Sequence, residues 1–373
     1  MLKMFENKTA RIEIDLDQLR QNLQILKKEM PQSLQWWAVV KDQAYGHGAI
    51  EVGREVLKAG ASKLAVATLE ESLDLKKNLP EASVVIFGER SPQELETCIE
   101  NQVEFFVNDV EQAKLVSEMG KKHRRAISVH IEMDTGLSRY GIRWDKCLAL
   151  IDFVSTLPML HLSSVMTHFA MSDELDKTFA NLQLERFLEC VPKIKKINSN
   201  IFVHACNSGG YLDLPQAHLD LVRLGILPLG VYPSEVCRRV DGVLPVMSMK
   251  TCVASIRKLE VGDVVGYGMH YKATQTRTIA VLPMGYSKGY PRLRNKGHVL
   301  IRGKQAPVIG GNAMNAMMVD VTDIPNTTTW DEVVLVGKQG SHEITMRDLA
   351  SWAGTVPYDV MSRAGQLIAR VYR

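Results

Sequence analysis

The chain has 373 residues, 46% of them hydrophobic and 23% charged, which fits a globular protein of two or three domains and excludes a disordered or fibrous one. Its net charge is +3, and the only dense basic cluster runs from Lys121 to Arg125, so an extended nucleic-acid surface is excluded. No stretch reaches the ~18 consecutive apolar residues of a membrane span, the first residues carry no apolar signal region, and the six cysteines form no CxxC pair; a cytoplasmic protein with reduced thiols is expected.

Residues 11–16 alternate polar and apolar, the pattern of a half-buried strand, and Asp17 is placed to cap a helix carrying Leu19, Leu23 and Leu26. The apolar run 36–40 reads as a buried strand. It ends at Lys41, and a polar, glycine-punctuated loop leads through Gly48 to a helix from Ala49. A lysine at the end of a core strand is partly desolvated, which lowers its pKa and leaves a neutral amine able to form a Schiff base. The plainer alternative is a solvated lysine that ends the strand.

Short apolar runs recur at 64–67, 84–87, 103–107, 127–133, 160–166, 201–205 and 219–224. Helical patterns at 50–59, 70–78, 92–101, 109–121, 145–155 and 174–195 lie between most of them. Together with the strand at 36–40 they make eight strand–helix units and predict an α/β fold, an N-terminal (β/α)8 TIM barrel over 10–240. An open doubly wound sheet would also alternate, but a count of eight near residue 230 favours the barrel. The rhythm stops after Pro233, and 241–373 reads as a C-terminal all-β domain. Its closing elements are a helix at 346–353, a second short helix and a strand at 368–372. The strand within 1–16 is a candidate to pair with this domain.

Chemistry in such a barrel sits at the C-terminal ends of the strands. The polar residues that fall there are Lys41 after the first strand and Asp134, Thr135, Gly136 and Arg139 after the fifth. Thr167 and His168 follow the sixth, Asn207 to Gly210 the seventh, and Arg223, Gly225 and Ile226 end the eighth. Each alone has a structural explanation, as a cap, a turn glycine or a core histidine; five groups on one face point to a site. The Ser208 hydroxyl and the backbone at Gly209, Gly210 and Gly225 suit a phosphate. A Schiff-base lysine with a phosphate cradle implies pyridoxal 5′-phosphate, with Arg223 a candidate partner of the pyridine nitrogen. Because arginine does not give up its proton, the ring would be a weaker electron sink, which favours simple proton transfer over decarboxylation or transamination.

These segments resemble those of the alanine racemase family of fold-type III pyridoxal-phosphate enzymes, from about Ala10 to Tyr372. AVVKDQAYGHG resembles the cofactor-lysine segment, which implies Lys41 as the Schiff-base lysine and Tyr45 near the phosphate. MDTGLSRYGI implies that Arg139 contacts the cofactor's phenolic oxygen and the substrate carboxylate. MTHFA supplies His168, HACNSGG supplies Ser208 for the phosphate, and LVRLGI supplies Arg223 for the pyridine nitrogen, with the Gly225 and Ile226 N–H groups on the phosphate. In the β domain, VGYGMHY implies Tyr267 as a second base and LPMGYSKGYPR carries Tyr286 and Arg292. GGNAMNAMMVDVT carries Met314, whose backbone would bind the substrate carboxylate. The resemblance implies a racemase interconverting L- and D-alanine, supplying D-alanine for peptidoglycan, as a head-to-tail homodimer. Lys41 would work on one face of Cα and Tyr267 of the second subunit on the other, aided by a hydrogen-bond chain through His168 to Arg223. No metal, nucleic acid or membrane is expected.

Several positions depart from the family pattern. Glu132 stands where many members carry a carbamylated lysine, and its carboxylate could hold Arg139 without modification. Gly311, Asn315 and Gln366 replace the arginine, aspartate and tyrosine common there. Gly311 and Gln366 would open the gate to the small pocket, leaving a racemase of serine or of broader specificity as an alternative, unless neighbours refill the space. A metal-dependent barrel hydrolase using His130, His161, His168 and His204 is the rival from another class. It lacks an HxH or HxxxH pair and leaves Lys41, Ser208 and Arg223 unexplained. A non-catalytic cofactor-binding protein would have no need of Tyr267.

Overall fold

The computed structural model describes residues 10–373. They form two units, one of residues 18–44 and 49–244, the other of 10–17, 45–48 and 245–373.

The chain begins with β1 (Arg11–Ile14), which belongs to the second unit, and α1 (Leu16–Glu29). The first unit then alternates strand and helix: β2 (Gln35–Val39), α2 (Ala49–Lys58), β3 (Lys63–Val66), α3 (Leu69–Asn78), β4 (Val84–Ile86), α4 (Pro92–Glu100), β5 (Val103–Phe106), α5 (Val110–His123) and β6 (Ile127–Asp134). After β6 come the short β7 (Ile142–Arg143), α6 (Trp144–Thr156), β8 (Leu160–Met166), α7 (Thr178–Leu188), α8 (Val191–Ile197), β9 (Phe202–His204), α9 (Ser208–Asp213) and β10 (Leu221–Leu224). The strands run β10-β2-β3-β4-β5-β6-β8-β9, every neighbouring pair parallel, with β7 beside β6. The cylinder is nearly closed. Asp220 N–H donates to Val203 O (3.2 Å) and Arg223 N–H to Cys206 O (2.9 Å), bridging the two end strands. Trp37, Ala65, Val85, Phe106, Met166 and Leu221, each from a different strand, form one packed interior cluster. The single helix expected over 174–195 is two, because Pro192 in the first turn of α8 cannot continue α7.

Where the sequence suggested a plain loop after Lys41, the chain makes a left-handed turn. Asp42, Gln43, Ala44 and Tyr45 have φ of 51°, 56°, 51° and 52°. Each such residue with a Cβ costs about 1–2 kcal/mol, so the turn needs outside support. Glu71, which caps α3 together with Thr68, supplies it. One carboxylate oxygen accepts the Asp42 N–H; the other accepts from Ala67 N (3.0 Å) and Thr68 N (3.1 Å).

The second unit comprises β11 (Met247–Cys252), β12 (Ser255–Leu259), β13 (Val264–Val265), β14 (Tyr271–Lys272), β15 (Arg277–Leu282), β16 (His298–Ile301), β17 (Lys304–Ile309), β18 (Met317–Asp320), β19 (Glu332–Gln339) and β20 (His342–Ile344). It closes with α10 (Met346–Ala353), α11 (Pro357–Leu367) and β21 (Arg370–Tyr372). The sheet order is β12-β15-β18-β17-β16-β19-β11-β1-β21, with β20 on β19; β13 and β14 pair separately. β1 is buried along its whole length rather than on one face. Its polar residues are neutralised in place. Glu13 pairs with Arg11 (2.7 Å), Arg373 (2.9 Å) and Lys250 (3.0 Å), while Arg11 also reaches Glu332 (2.8 Å). Burial pushes the Glu13 pKa up, but its bonds from Arg11 and Lys250 outweigh that and hold it below the ordinary carboxylate value.

Candidate active site

The barrel positions expected to carry chemistry come to the C-terminal ends of β2, β6, β8, β9 and β10. Lys41 follows β2, and burial, with the Arg139 charge adding to it, lowers its pKa; Asp42 and Glu71 act weakly the other way. An amine so placed loses its proton more readily than a surface lysine.

Arg223 is the most constrained of these residues, 2% exposed at the end of β10. Its Nη1 donates to His204 Nδ1 (2.8 Å), and its Nη2 donates to Thr167 O (2.8 Å), Ala205 O (3.1 Å) and His168 Nδ1 (3.2 Å). Both terminal nitrogens are therefore committed, whereas Nε–H makes no hydrogen bond among the described residues. Arginine only donates, so His168 must accept at Nδ1 and carry its proton on Nε2. Burial and then the Arg223, Arg139 and Lys41 charges push the His168 pKa well below the usual imidazole value, so the ring is neutral.

Glu132 on β6 is 3% exposed. Burial raises its pKa, and the Arg139 and Arg223 charges oppose the rise. Arg139 itself is exposed, its guanidinium 5.8 Å from the Tyr140 ring centre, and it forms no ion pair with Glu132. The backbone beyond Arg139 lies tight on β6: a Cβ at Gly141 (φ 90°) would sit 2.4 Å from Glu132 O. Asp134 shapes the intervening turn by accepting from Gly136 N (2.9 Å) and Ser138 N (3.0 Å).

The loops after β9 and β10 meet where Gly225 N–H donates to Ser208 Oγ (3.2 Å). Asn207 caps α9 by accepting from Gly210 N (2.9 Å). Ile226 N–H has no acceptor among the described residues, although Ile226 is 1% exposed. Buried donors without acceptors are costly unless an outside group supplies one. Arg223 Nε–H and Ile226 N–H, one flat cation edge and one backbone donor at the end of the same strand, fit a phosphorylated heteroaromatic ring.

Three supporting residues were not singled out from sequence. Gln183 on α7 donates to Thr135 Oγ1 (3.2 Å) and His168 O (3.0 Å) and accepts from Ala170 N (2.9 Å), tying down the β8 loop. Asn108 accepts from Glu132 N (3.0 Å), and Glu71 anchors the Lys41 turn. Only Glu71 carried a sequence signal, its Thr-x-x-Glu capping spacing from Thr68. Of the histidines suggested for a metal, His130 and His204 both bond to Ser164 Oγ, at 2.7 and 3.0 Å. No group of three or more His, Cys, Asp or Glu side chains among the described residues is arranged to hold a metal ion.

In the second unit, Tyr45 packs edge-on against Tyr358, ring centres 6.0 Å apart. Tyr267 lies between Gly266 (φ 71°) and Gly268 (φ 73°), a turn that turns the phenol outward, 75% exposed. Met314 is 55% and Tyr286 40% exposed. Arg292 is exposed, its guanidinium 5.8 Å from the Tyr286 ring centre. Met314 O accepts from Ser287 N (3.0 Å), while Met314 N–H is unused among the described residues. Gly311 is buried beside Arg294, whose side chain an added Cβ would meet at 3.5 Å, an ordinary contact distance. Gln366 is exposed on α11.

Family models describe the same division. Residues 14–233 match the alanine racemase N-terminal domain and 246–372 the alanine racemase C-terminal domain. The chain belongs to the alanine racemase family. It is 37% identical to the alanine racemase of Syntrophobacter fumaroxidans over 356 residues, 95% of each chain. The solved alanine racemase of Clostridium difficile 630 superposes with a TM-score of 0.92 at 30% identity, covering 98% of this chain and 96% of that one. That of Bacillus anthracis, solved with bound L-Ala-P, gives 0.89 at 29% identity, covering 98% and 95%. The family is one of isomerases that act on alanine and typically use pyridoxal phosphate. No helix among the described residues is long and apolar enough to cross a membrane.

Proposed function

We propose that this racemase interconverts L- and D-alanine on a pyridoxal 5′-phosphate carried by Lys41, with Tyr267 of the partner subunit as the second base and D-alanine for peptidoglycan as the product drawn off. The observation that carries the reading is the state of Arg223, whose terminal nitrogens are all taken while its Nε–H has no acceptor. That leaves one donor for a pyridine nitrogen and no proton to surrender to it. When bound, the cofactor supplies the conjugated ring that acidifies the α-proton of the amino acid. Lys41, its pKa lowered by burial, exchanges that proton on one face. Ser208, Gly225 and Ile226 hold the phosphate, and Tyr45 packs beside it. Arg139 and, from the partner subunit, the free Met314 N–H receive the substrate carboxylate. Tyr286 and Arg292 support the entrance, and the buried Glu132 attracts Arg139 without a carbamate.

The partner is a second copy of this chain. Tyr267, Met269 and Met314 stand 75%, 68% and 55% exposed, a poor arrangement for a lone chain and a natural one for a shared site. A broader side-chain range is favoured by one feature, the absence of any side chain at Gly311, where an added Cβ would clash with nothing. A chiral assay of the purified protein with pyridoxal phosphate and single L-amino acids tests both points. D-alanine formed fastest is expected. Faster turnover of serine would make the gate functional and change the substrate; no racemisation by protein that still turns yellow would overturn the two-base reading.

A further inference from the structure

Behind Arg223 a line of polar side chains crosses the barrel interior, and the mechanism above does not use it. Arg223 Nη1 bonds His204 Nδ1 (2.8 Å), and His204 Nε2 bonds Ser164 Oγ (3.0 Å). Ser164 Oγ bonds His130 Nδ1 (2.7 Å), and His130 Nε2 bonds Glu104 Oε2 (2.8 Å). Glu104 is held in turn by Lys63 and by Ser83 Oγ (3.0 Å). His130 and His204 are fully buried, and Ser164 is 1% exposed. The edges of both rings pack on Trp37, at 5.3 and 4.7 Å between ring centres.

The direction of every bond in this line follows from its first member. Arginine can only donate, so His204 accepts at Nδ1 and carries its proton on Nε2. That proton goes to Ser164 Oγ, which must then give its own hydrogen to His130 Nδ1. His130 therefore also carries its proton on Nε2 and donates it to Glu104. Burial lowers the His130 pKa and keeps that ring neutral, and with both rings neutral, reversing any one bond would leave two acceptors or two donors facing each other. The line connects a buried cation to a carboxylate near the opposite end of the strands through two neutral rings.

We infer that Ser164 is a positioning residue for the racemase reaction: it joins His204 to His130 and Glu104, and the joined line sets the orientation of the Arg223 guanidinium. The inference rests on the reading of Arg223 as the partner of the pyridine nitrogen. A serine hydroxyl is suited to the link because it accepts and donates at one atom between two rings. A line satisfied at every member is rigid, and losing one member leaves buried groups unpaired.

The test uses full-length protein labelled with 15N in histidine, first without pyridoxal phosphate and then with it. His130, His168 and His204 should all be neutral with the proton on Nε2. In Ser164→Ala the His130 resonances should move, and so should those of His204 Nδ1, which does not touch residue 164. The visible band of bound pyridoxal phosphate should shift in the same sense as in Arg223→Lys. For alanine, kcat should fall about tenfold with KM changed less than about twofold. Glu104→Gln, which keeps an acceptor for His130, should retain the wild-type tautomers. A His204 proton on Nδ1 in the wild type would overturn the directed line. So would a Ser164→Ala protein whose His204 resonances and cofactor band stay in place while Arg223→Lys moves the band. An unmoved band in Arg223→Lys, with histidine resonances as expected, would instead sink the pyridine-nitrogen reading and with it the catalytic purpose of the line.

Discussion

The two units prepare their share of the chemistry in opposite ways. In the barrel, Arg223 is 2% exposed and fixed by four acceptors, His168 is held in one tautomer, and Ser208 is tied to Gly225. In the β unit, Tyr267 is 75% exposed on a two-glycine turn, and Met314 offers an unused N–H. Groups that hold a resident cofactor can be completed within one chain, because their neighbours are always present. On the proposed function, Tyr267 and Met314 act on the far face of the substrate, and their exposure leaves them for a second molecule to enclose. Preorganisation in the first case comes from internal bonds, in the second from assembly.

Removing one residue from each side breaks this contrast most severely. Lys41→Ala should abolish cofactor attachment and lower racemisation by more than about 10⁴-fold. Tyr267→Phe should cost about 10²–10⁴-fold and mainly suppress proton exchange from one face, visible as unequal solvent-deuterium incorporation starting from L- or D-alanine. If the site is shared, co-refolding the two inactive variants should recover activity, since a mixed dimer has one intact pair; no recovery would place both residues in one chain's site. Within the barrel, Glu132→Gln should raise KM for alanine about tenfold by loosening Arg139, with activity in both proteins indifferent to added bicarbonate.

The interior line gives a pH test. Burial pushes Glu104 up, but hydrogen bonds from His130 and Lys63 and the Lys63 charge outweigh that and hold its pKa at about 2, against an ordinary 4.5. A carboxylate lowered in the folded state stabilises fully above pH 4.5, and that contribution is lost as pH falls towards about 2. Glu104→Gln should therefore be about 1–3 kcal/mol less stable at neutral pH and unfold with a shallower dependence on acid; equal slopes in acid denaturation would contradict this. The smallest effect expected is at Gly311. Gly311→Ala meets Arg294 only at ordinary contact distance, so stability should move by less than about 0.5 kcal/mol, while any serine turnover should fall relative to alanine.

The barrel was legible because its strands, buried on both faces, read as apolar runs and its helices carry caps. Both α3 and α4 open on a Ser/Thr-x-x-Glu box. Lys41, His168, Ser208 and Arg223 stood out because polar side chains at strand ends interrupt that pattern. β1 misled, since alternation suggests one wet face, and only Lys250, Glu332 and Arg373, distant in sequence, make its burial tolerable. Ser164 and Gln183 gave no signal, because a serine within a strand or a glutamine on a helix is ordinary until its partners are known. The split at Pro192 was visible in the sequence as a helix-breaking residue and was outweighed by the apolar pattern around it. The Tyr267 turn was readable only as a tyrosine between glycines.

The turn after Lys41 restricts how this sequence can drift. Four successive residues, 42–45, hold positive φ without a glycine among them. A β-branched side chain is strongly disfavoured in that conformation, so Val, Ile and Thr are barred from four adjacent sites whatever their fit in the surroundings. Asparagine or glycine would be admitted there more easily than any hydrophobic residue. At Asp42, Gln43 and Ala44 handedness limits substitution more than chemistry does, and Glu71, 29 residues beyond Asp42 in α3, is drawn into the same constraint. A change at Glu71 should narrow further what residues 42–45 tolerate, a coupling between two places distant in sequence that meet through one backbone hydrogen bond.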